Sequence, residues 1–403
     1  MKRAQFQPGA PGQFVAADFM QASVAGSTVH QVHAFVPDPL PPALDWVSIT
    51  GRLFELLDRA KTALLRLEGL VDSLPAPYIL LSPLRAREAQ ASSKIEDTFA
   101  SLRDIAAAAL TPPTEASVPG HQAVEVVRNA AAIKHGLESR LPVSRRLLCD
   151  MHRVLVVERA KRPGQLRDLQ VCIGDEQRGA EHARFVPPPA SQVEACLYAW
   201  ERFHNPGSIG VPQRQRLPYF IELALSHYQF ETIHPFSDGN GRLGRAVVNV
   251  APVKDGVLKH PVCNLSEWVH SNRQEYYDRL LAVSTHGDWE GWIRFFLTAI
   301  AEQAAQDTLR AERLRSLYQR YFKLLDEGRN SIRAMRLINH LFDTPAVSVS
   351  RAASIMGLAY SAAQRHVQFL IDQRVLRQLG DSARDRVYIA EGIIKAIRGD
   401  GED

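Results

Sequence analysis

The chain has 403 residues, 45% of them hydrophobic and 23% charged, with a net charge of +4. That length holds two or three domains with a large core, and so mild a charge does not by itself call for nucleic acid. No apolar run is long enough to span a bilayer. Cys149, Cys172, Cys196 and Cys263 are too widely spaced for a metal site or a disulfide framework, which points to a reducing cytoplasm.

Residues 1–35 mix small, polar and scattered apolar residues without a period, and read as a loosely ordered segment. Lys2 and Arg3 are not followed by a continuous apolar signal region, which argues against export. Val36 to Pro42 is proline-rich and reads as an extended entry. Helical spacing predicts helices over 46–72 and 79–111, with a break at Pro112-Pro113, then over 118–138, 144–160 and 190–204. Inside the second of these, Ser92 and Glu96 are four apart and share one helix face. Between 163 and 189 the pattern changes. Pro163-Gly164-Gln165-Leu166-Arg167 opens a non-helical stretch, two β-prone pieces around Ile173 and Phe185 predict a hairpin, and Pro187 to Pro189 ends it.

Leu217, Ile221, Ala224, Leu225 and Tyr228 recur at helical spacing, and Leu243 to Val250 reads as a further helix. Between them lies His234-Pro235-Phe236-Ser237-Asp238-Gly239-Asn240-Gly241-Arg242-Leu243-Gly244-Arg245. A helix that begins here offers N–H groups and a positive dipole end to an anion. Gly239 and Gly241 let backbone approach a phosphate, and Asn240 can donate from its amide. Arg242 and Arg245, three apart, can each fork onto phosphate oxygens. Asp238 is a hard oxygen ligand suited to Mg²⁺, and His234 can accept a proton from a hydroxyl. Phe236 anchors the loop. The combination points to phosphate chemistry.

Farther on, Ser271 to Asp278 precedes Gly287-Asp288-Trp289-Glu290-Gly291-Trp292, whose two tryptophans share a face and read as structural. Residues 306–330 read as a charged connecting helix. From 331 the spacing predicts a helix, a helix ending at Gly357, a third helix from Ser361 to Val375, and a β-hairpin with a polar tip from Asp381 to Asp385. This order resembles a winged helix-turn-helix over 331–403. Ser361, Gln364, Arg365, Gln368, Arg384 and Arg386 are its candidate base or phosphate contacts, although Asp381 and Asp385 flank the tip arginines.

The loop resembles the Fic family signature HxFx[D/E]GNGRxxR and matches every defined position. The resemblance implies a mainly α fold: a helical core over 116–305 with a small β-hairpin flap, a helical region over 36–115 before it, and the winged helix after it. It implies transfer of AMP from ATP to a protein hydroxyl, with Mg²⁺ as cofactor. His234 becomes the base and Asp238 the metal ligand. Gly239, Asn240, Gly241, Arg242, Gly244 and Arg245 become nucleotide-binding. Related Doc kinases carry Lys where this chain has Gly241. Ser92 through Glu96 resembles the family's inhibitory helix pattern [S/T]xxxE[G/N], which implies autoinhibition by Glu96 pairing with Arg245. Asp97 departs from the pattern. By the same resemblance Ile173, Gly174 and Phe185 dock the target segment, while Asn272 and Tyr276 or Tyr277 contact the nucleoside. The expected partners are a protein with a Ser, Thr or Tyr hydroxyl, this chain itself included, and a second copy in a homodimer. For 331–403 the expected role is dimerisation or docking of another protein, with DNA as the alternative partner. Two other readings stand beside transfer: removal of AMP from a modified protein, and a DNA-binding regulator with a nucleotide-sensing core.

Overall fold

The computed structural model describes residues 6–23, 26–74, 76–110, 118–174, 182–207, 215–326, 331–380 and 386–398. The fold is mainly α, with two small antiparallel sheets among the described residues. The chain packs as two compact units that cut across sequence order. One takes 1–62, 131–257 and 268–302; the other takes 63–130, 258–267 and 303–403. The boundaries expected from the sequence run in chain order and do not coincide with this division.

The elements, in chain order, are β1 (Gly12–Ser23), β2 (Gly26–Pro37), α1 (Trp46–Asp72), α2 (Tyr78–Ile95), α3 (Leu102–Ala108), α4 (Val118–Glu138), α5 (Arg145–Leu155), α6 (Ala190–His204), α7 (Tyr219–Ile233), α8 (Asn240–Lys254), α9 (Ser266–Ser271), α10 (Arg273–His286), α11 (Trp289–Asp326), α12 (Ser331–Asp343), β3 (Ala346–Ser348), α13 (Val349–Met356), α14 (Tyr360–Asp372), β4 (Arg377–Leu379), β5 (Val387–Ile389) and α15 (Glu391–Arg398). The helix predicted over 79–111 is two helices, α2 and α3. The one predicted over 144–160 stops at Leu155. The expected connecting helix is the second half of one continuous helix, α11, that starts at Trp289.

The expectation of a loose segment at 1–35 is overturned. β1 and β2 pair in register from Gly12 opposite Pro37 to Ser23 opposite Gly26. Ala, Gln, Asp and His interrupt the alternation along both strands, so no period-two pattern shows. A two-stranded ribbon is marginal alone; tertiary packing decides it. Ala34, Phe35 and Val36 are buried, and Phe35 N–H donates to the Val186 carbonyl at 2.9 Å. Phe14, Phe35 and Phe185 form a chain of edge contacts with ring centroids 5.8 Å apart at each step.

The first unit is built around α7, which is buried along almost its whole length. The burial takes in Glu222, Ser226, His227, Gln229 and Thr232 as well as the apolar residues. The Trp200 indole of α6 donates to the Ser226 carbonyl at 3.0 Å, and Trp292 donates to the Ala224 carbonyl at 2.8 Å. Trp289 and Trp292 are core residues, as their spacing predicts.

In the second unit α2 is also buried, but on polar groups. Arg87 pairs with Glu267 at 2.6 Å, Arg310 pairs with Glu267 at 3.0 Å, and Asn264 donates to Asp307 at 2.8 Å. Glu88 accepts from the N–H of Ser266 at 3.1 Å. The polar lining explains why α2 carries no clear apolar stripe. At the C-terminal end, β3, β5 and β4 form a three-stranded sheet in that order beside α12, α13 and α14. Gly357 ends α13 with φ 64°. Asp381, Arg384 and Asp385 lie outside the described residues.

Candidate active site

The loop 234–239 joins α7 to α8. α7 stops because His234 turns into the left-handed region, φ 49° and ψ 61°, while its N–H still bonds the Phe230 carbonyl. A non-glycine residue rarely adopts this conformation. α8 starts because Gly239 caps it at φ 77°, again left-handed. A Cβ on Gly239 would also lie 3.1 Å from Val156 Cγ2. The first bond of α8 runs from Leu243 N–H to the Gly239 carbonyl, so the N–H groups ahead of it point out of the helix end.

Phe236 is buried and stacks on His152 with centroids 4.0 Å apart. The His152 tautomer follows from its neighbours. Gly164 N–H donates to Nδ1 at 2.8 Å, so the proton sits on Nε2, which donates to the Asp238 carbonyl at 3.0 Å. Burial pushes the His152 pKa down, and it serves as a neutral clamp on the loop.

The Asp238 carboxylate faces cations on both oxygens. Lys161 Nζ lies 3.0 Å from Oδ2, Arg242 lies 3.5 Å from Oδ1, and Gly239 N–H donates to Oδ1 at 2.7 Å. Burial opposes ionisation, but Arg242 and Lys161 together outweigh it and hold the carboxyl below its ordinary value. This donor fits Mg²⁺. An ionised hard oxygen is the kind of single protein ligand that Mg²⁺ uses beside waters and phosphates, and the ion would take the place that Lys161 holds at Oδ2. Arg242 and Arg245 are both buried, with 6% and 1% of their surface exposed. Guanidinium groups this deep in a helix start suit an anion that reaches in to them. Next to Arg245, burial and the guanidinium charge push the His227 pKa down to about 3, and its Nε2 lies 2.9 Å from the Tyr276 hydroxyl.

Residues 54–138 match the Fic/DOC family N-terminal model, and residues 142–251 match the Fic/DOC family model. Residues 54–138 and 142–251 belong to the Fic/DOC family. It is 29% identical over 191 residues to the protein adenylyltransferase Fic of Nematostella vectensis, covering 45% of this chain and 40% of that one. It is 24% identical over 212 residues to a probable protein adenylyltransferase of Aquifex aeolicus, covering 52% and 58%. A Fic family protein from Desulfovibrio desulfuricans G20 aligns over 91% of this chain and 99% of its own, with a TM-score of 0.48 and 19% identity. The chain spans between 22% and 58% of the length of the first three curated relatives it matches.

Within this Fic core several expected site residues also have structural partners. Asn240 is buried, and both ends of its amide are bonded to Phe236: Nδ2 donates to the carbonyl at 2.8 Å, and Oδ1 accepts from the N–H at 2.9 Å. It closes the loop. Gly244 lies where α7 and α8 touch; a Cβ there would come within 2.3 Å of Glu231 Oε1 and 3.0 Å of the Phe230 ring. Its lack of a side chain serves helix packing. Gly241 is half-buried within the first turn of α8. Tyr276 is buried at 1% exposure, as a core aromatic would be. Tyr277 keeps some exposure and has the Arg184 and Arg273 guanidinium groups 5.6 and 5.8 Å from its ring centre. Asn272 caps α10, and its amide donates to the Trp268 carbonyl at 2.8 Å.

The hairpin is reduced among the described residues to one antiparallel bridge between Ile173 and Phe185, and 175–181 lie outside them. The Phe185 ring points inward onto Phe35 at 5.8 Å, so the ring serves the core and is withdrawn from docking. Gly174 is exposed with φ 135°.

In the second unit, Ser92 is buried and Glu96 caps α2. Asp97 stands at φ 57°. Its N–H bonds the Lys94 carbonyl at 3.1 Å, and Thr98 N–H reaches back to Ser93 at 3.0 Å. These are the paired bonds of a left-handed helix stop. The turn that the family pattern makes with Gly or Asn is made here with Asp.

The sequence reading missed His152, Lys161 and Arg167. None has a local signature, because each reaches the loop from a distant part of the chain. A glycine at 164 beside non-helical residues was the one hint that backbone comes close there.

Proposed function

We propose that this chain transfers AMP from ATP to a hydroxyl side chain of a protein. One observation carries the reading. A half-exposed imidazole, a carboxylate kept ionised by two cations, and a helix start with two buried arginines follow one another within twelve residues. His234 takes the proton of the attacking hydroxyl as its oxygen bonds to the α-phosphorus. The bond to the bridging oxygen breaks, and pyrophosphate leaves with the electron pair. Arg242 and Arg245 hold the β- and γ-phosphates, and the N–H groups at the start of α8 hold the α-phosphate. Asp238 is the residue that would hold Mg²⁺, which when bound neutralises phosphate charge. The names of the matched relatives support adenylyl as the group transferred.

Ser92 and Glu96 act as an inhibitory element in this reading. The test is transfer from ATP labelled on the base and on the α-phosphate, with Mg²⁺, into this chain or into lysate proteins. Glu96→Gly gains label over wild type, and Glu96→Gly with His234→Ala loses it. No label in any variant that still binds ATP overturns the proposal and moves the weight to removal of AMP from a modified protein.

A second reading concerns residues 331–403, which hold nine Arg and one Lys against six Asp and two Glu. Two of those acids are already engaged: Asp343 accepts from Ser82 at 2.6 Å, and Glu391 pairs with Arg103 at 2.6 Å. Arg365 on α14, Arg377 on β4 and Arg386 just before β5 are exposed, with Gln364 and Gln368 on the same helix. That imbalance favours duplex DNA as a partner of this module. Binding of a random duplex that does not weaken with salt, or no binding, excludes it.

A further inference from the structure

Arg167 is 3% exposed, and no carboxylate among the described residues pairs with it. Burial pulls its pKa down to about 10, so it stays charged at neutral pH. A buried cation that finds no anion must be satisfied by dipoles. Here they are backbone carbonyls drawn from three places in the first unit. Nε donates to the His234 carbonyl at 2.8 Å. One terminal nitrogen donates to Leu169 at 3.1 Å. The other donates to Pro188 at 2.5 Å and to Ile233 at 3.4 Å. The Arg167 backbone N–H adds a bond to the Pro235 carbonyl at 2.9 Å.

These contacts converge on one strained point. His234 is left-handed, and the last carbonyls of α7 lie at the negative end of that helix. The guanidinium supplies the charge that end favours and bonds the carbonyl of the strained residue itself. Leu169 and Pro188 flank the bridge between Ile173 and Phe185 on its two sides. Gln170 makes a parallel tie, donating to the Val171 and Pro187 carbonyls at 3.0 Å.

We propose that Arg167 is a positioning residue that fixes the left-handed backbone of His234 and locks the base of the flap to the same point. The imidazole and the segment that would present a target are thereby held in one frame. The role depends on a planar fork that reaches several carbonyls at once, which an ammonium group cannot reproduce. The proposal rests on the transferase reading for its kinetic arm only.

The experiment uses the full chain carrying Glu96→Gly, with Arg167→Met and Arg167→Lys added singly. Three quantities are read: the imidazole NMR signals of His234, identified by their loss in His234→Ala; ATP affinity with Mg²⁺ by calorimetry; and transfer of α-phosphate label. We expect the His234 signals to move in both variants and ATP affinity to stay within about threefold. The transfer rate should fall about a hundredfold, the scale of an ångström misplacement at a reacting group. Arg167→Lys should recover thermal stability without recovering the rate. If Arg167→Met does not fold, Arg167→Lys decides alone. Unmoved His234 signals, a full rate in Arg167→Lys, or loss of ATP affinity in step with the rate would each overturn the assignment. If the parent transfers no label, the transferase reading fails while the NMR arm still tests Arg167.

Discussion

Among the described residues three α-helices stop at a left-handed residue that is not glycine: α2 at Asp97, α7 at His234 and α14 at Arg374. The first two make the instructive pair: α7 ends at His234 with φ 49°, and α2 stops two residues before Asp97 with φ 57°. The stop at Asp97 is made with the backbone bonds of Asp97 and Thr98 to Lys94 and Ser93, and the Thr98 hydroxyl also donates to Glu125 at 3.3 Å. The stop at His234 is over-determined. Arg167 bonds its carbonyl, Arg167 N–H bonds Pro235, and the Asn240 amide closes the chain onto Phe236. His152 stacks beneath that ring and clamps Asp238. Both ends store strain of the same kind, and the His234 end is held by Arg167, Asn240 and His152 together. Bracing of this density accompanies strain where a reacting group must be held in one place.

The comparison breaks first at the two residues themselves. His234→Gly removes both the strain and the base. Transfer by the Glu96→Gly parent should fall roughly a hundredfold to ten-thousandfold, while stability to urea stays within about 1 kcal/mol of the parent. Loss of stability without loss of transfer would mean that His234 is a structural stop like Asp97.

The next largest effect is on the acid side. His227 has a folded pKa of about 3, well below its value in an unfolded chain. Its contribution is therefore complete above about pH 6.5 and is lost as the pH falls toward 3. The slope is about 1.4 kcal/mol per pH unit. Urea unfolding of His227→Gln should show a flatter acid limb than wild type; an equal slope would mean that His227 is not held neutral beside Arg245.

Gly244→Ala tests the packing that carries the braced end. Its Cβ meets Glu231 and Phe230, so thermal unfolding should report a loss of roughly 1–3 kcal/mol. ATP affinity should follow only to the extent that α8 shifts. Unchanged stability would return Gly244 to the nucleotide-binding role.

The smallest effect belongs to the Asp97 end. Asp97→Gly should stabilise the chain by about 0.5–1 kcal/mol, the relief of left-handed strain less the added freedom of glycine in the unfolded state. Transfer should not rise. A rise would mean that this turn sets the inhibitory strength of Glu96.

Much of the helical order was legible, because α1, α4 and α6 are long and periodic. α1, α4 and α6 span 46–72, 118–138 and 190–204 as their spacing predicts. The β1–β2 ribbon was not legible, since neither strand alternates and its burial comes from Val186 and Phe185, about 150 residues later. The split of 79–111 at Asp97 was hidden for the opposite reason: Asp can make the turn, but nothing local requires it to.

By itself the sequence determined the chemistry available between 234 and 245, because base, carboxylate, glycines and arginines are contiguous and their spacing is set by one helix start. It also determined which residues could not be ordinary surface. Only the tertiary structure decided which of them do something else. Asn240 closes the loop, Gly244 spaces two helices, and Tyr276 and Phe185 belong to the core. The same holds for His152, Lys161 and Arg167, which act on the loop through bonds to its backbone and to one carboxylate. A carbonyl offers the same acceptor whatever residue carries it, so contacts of that kind leave no pattern in the sequence at either end.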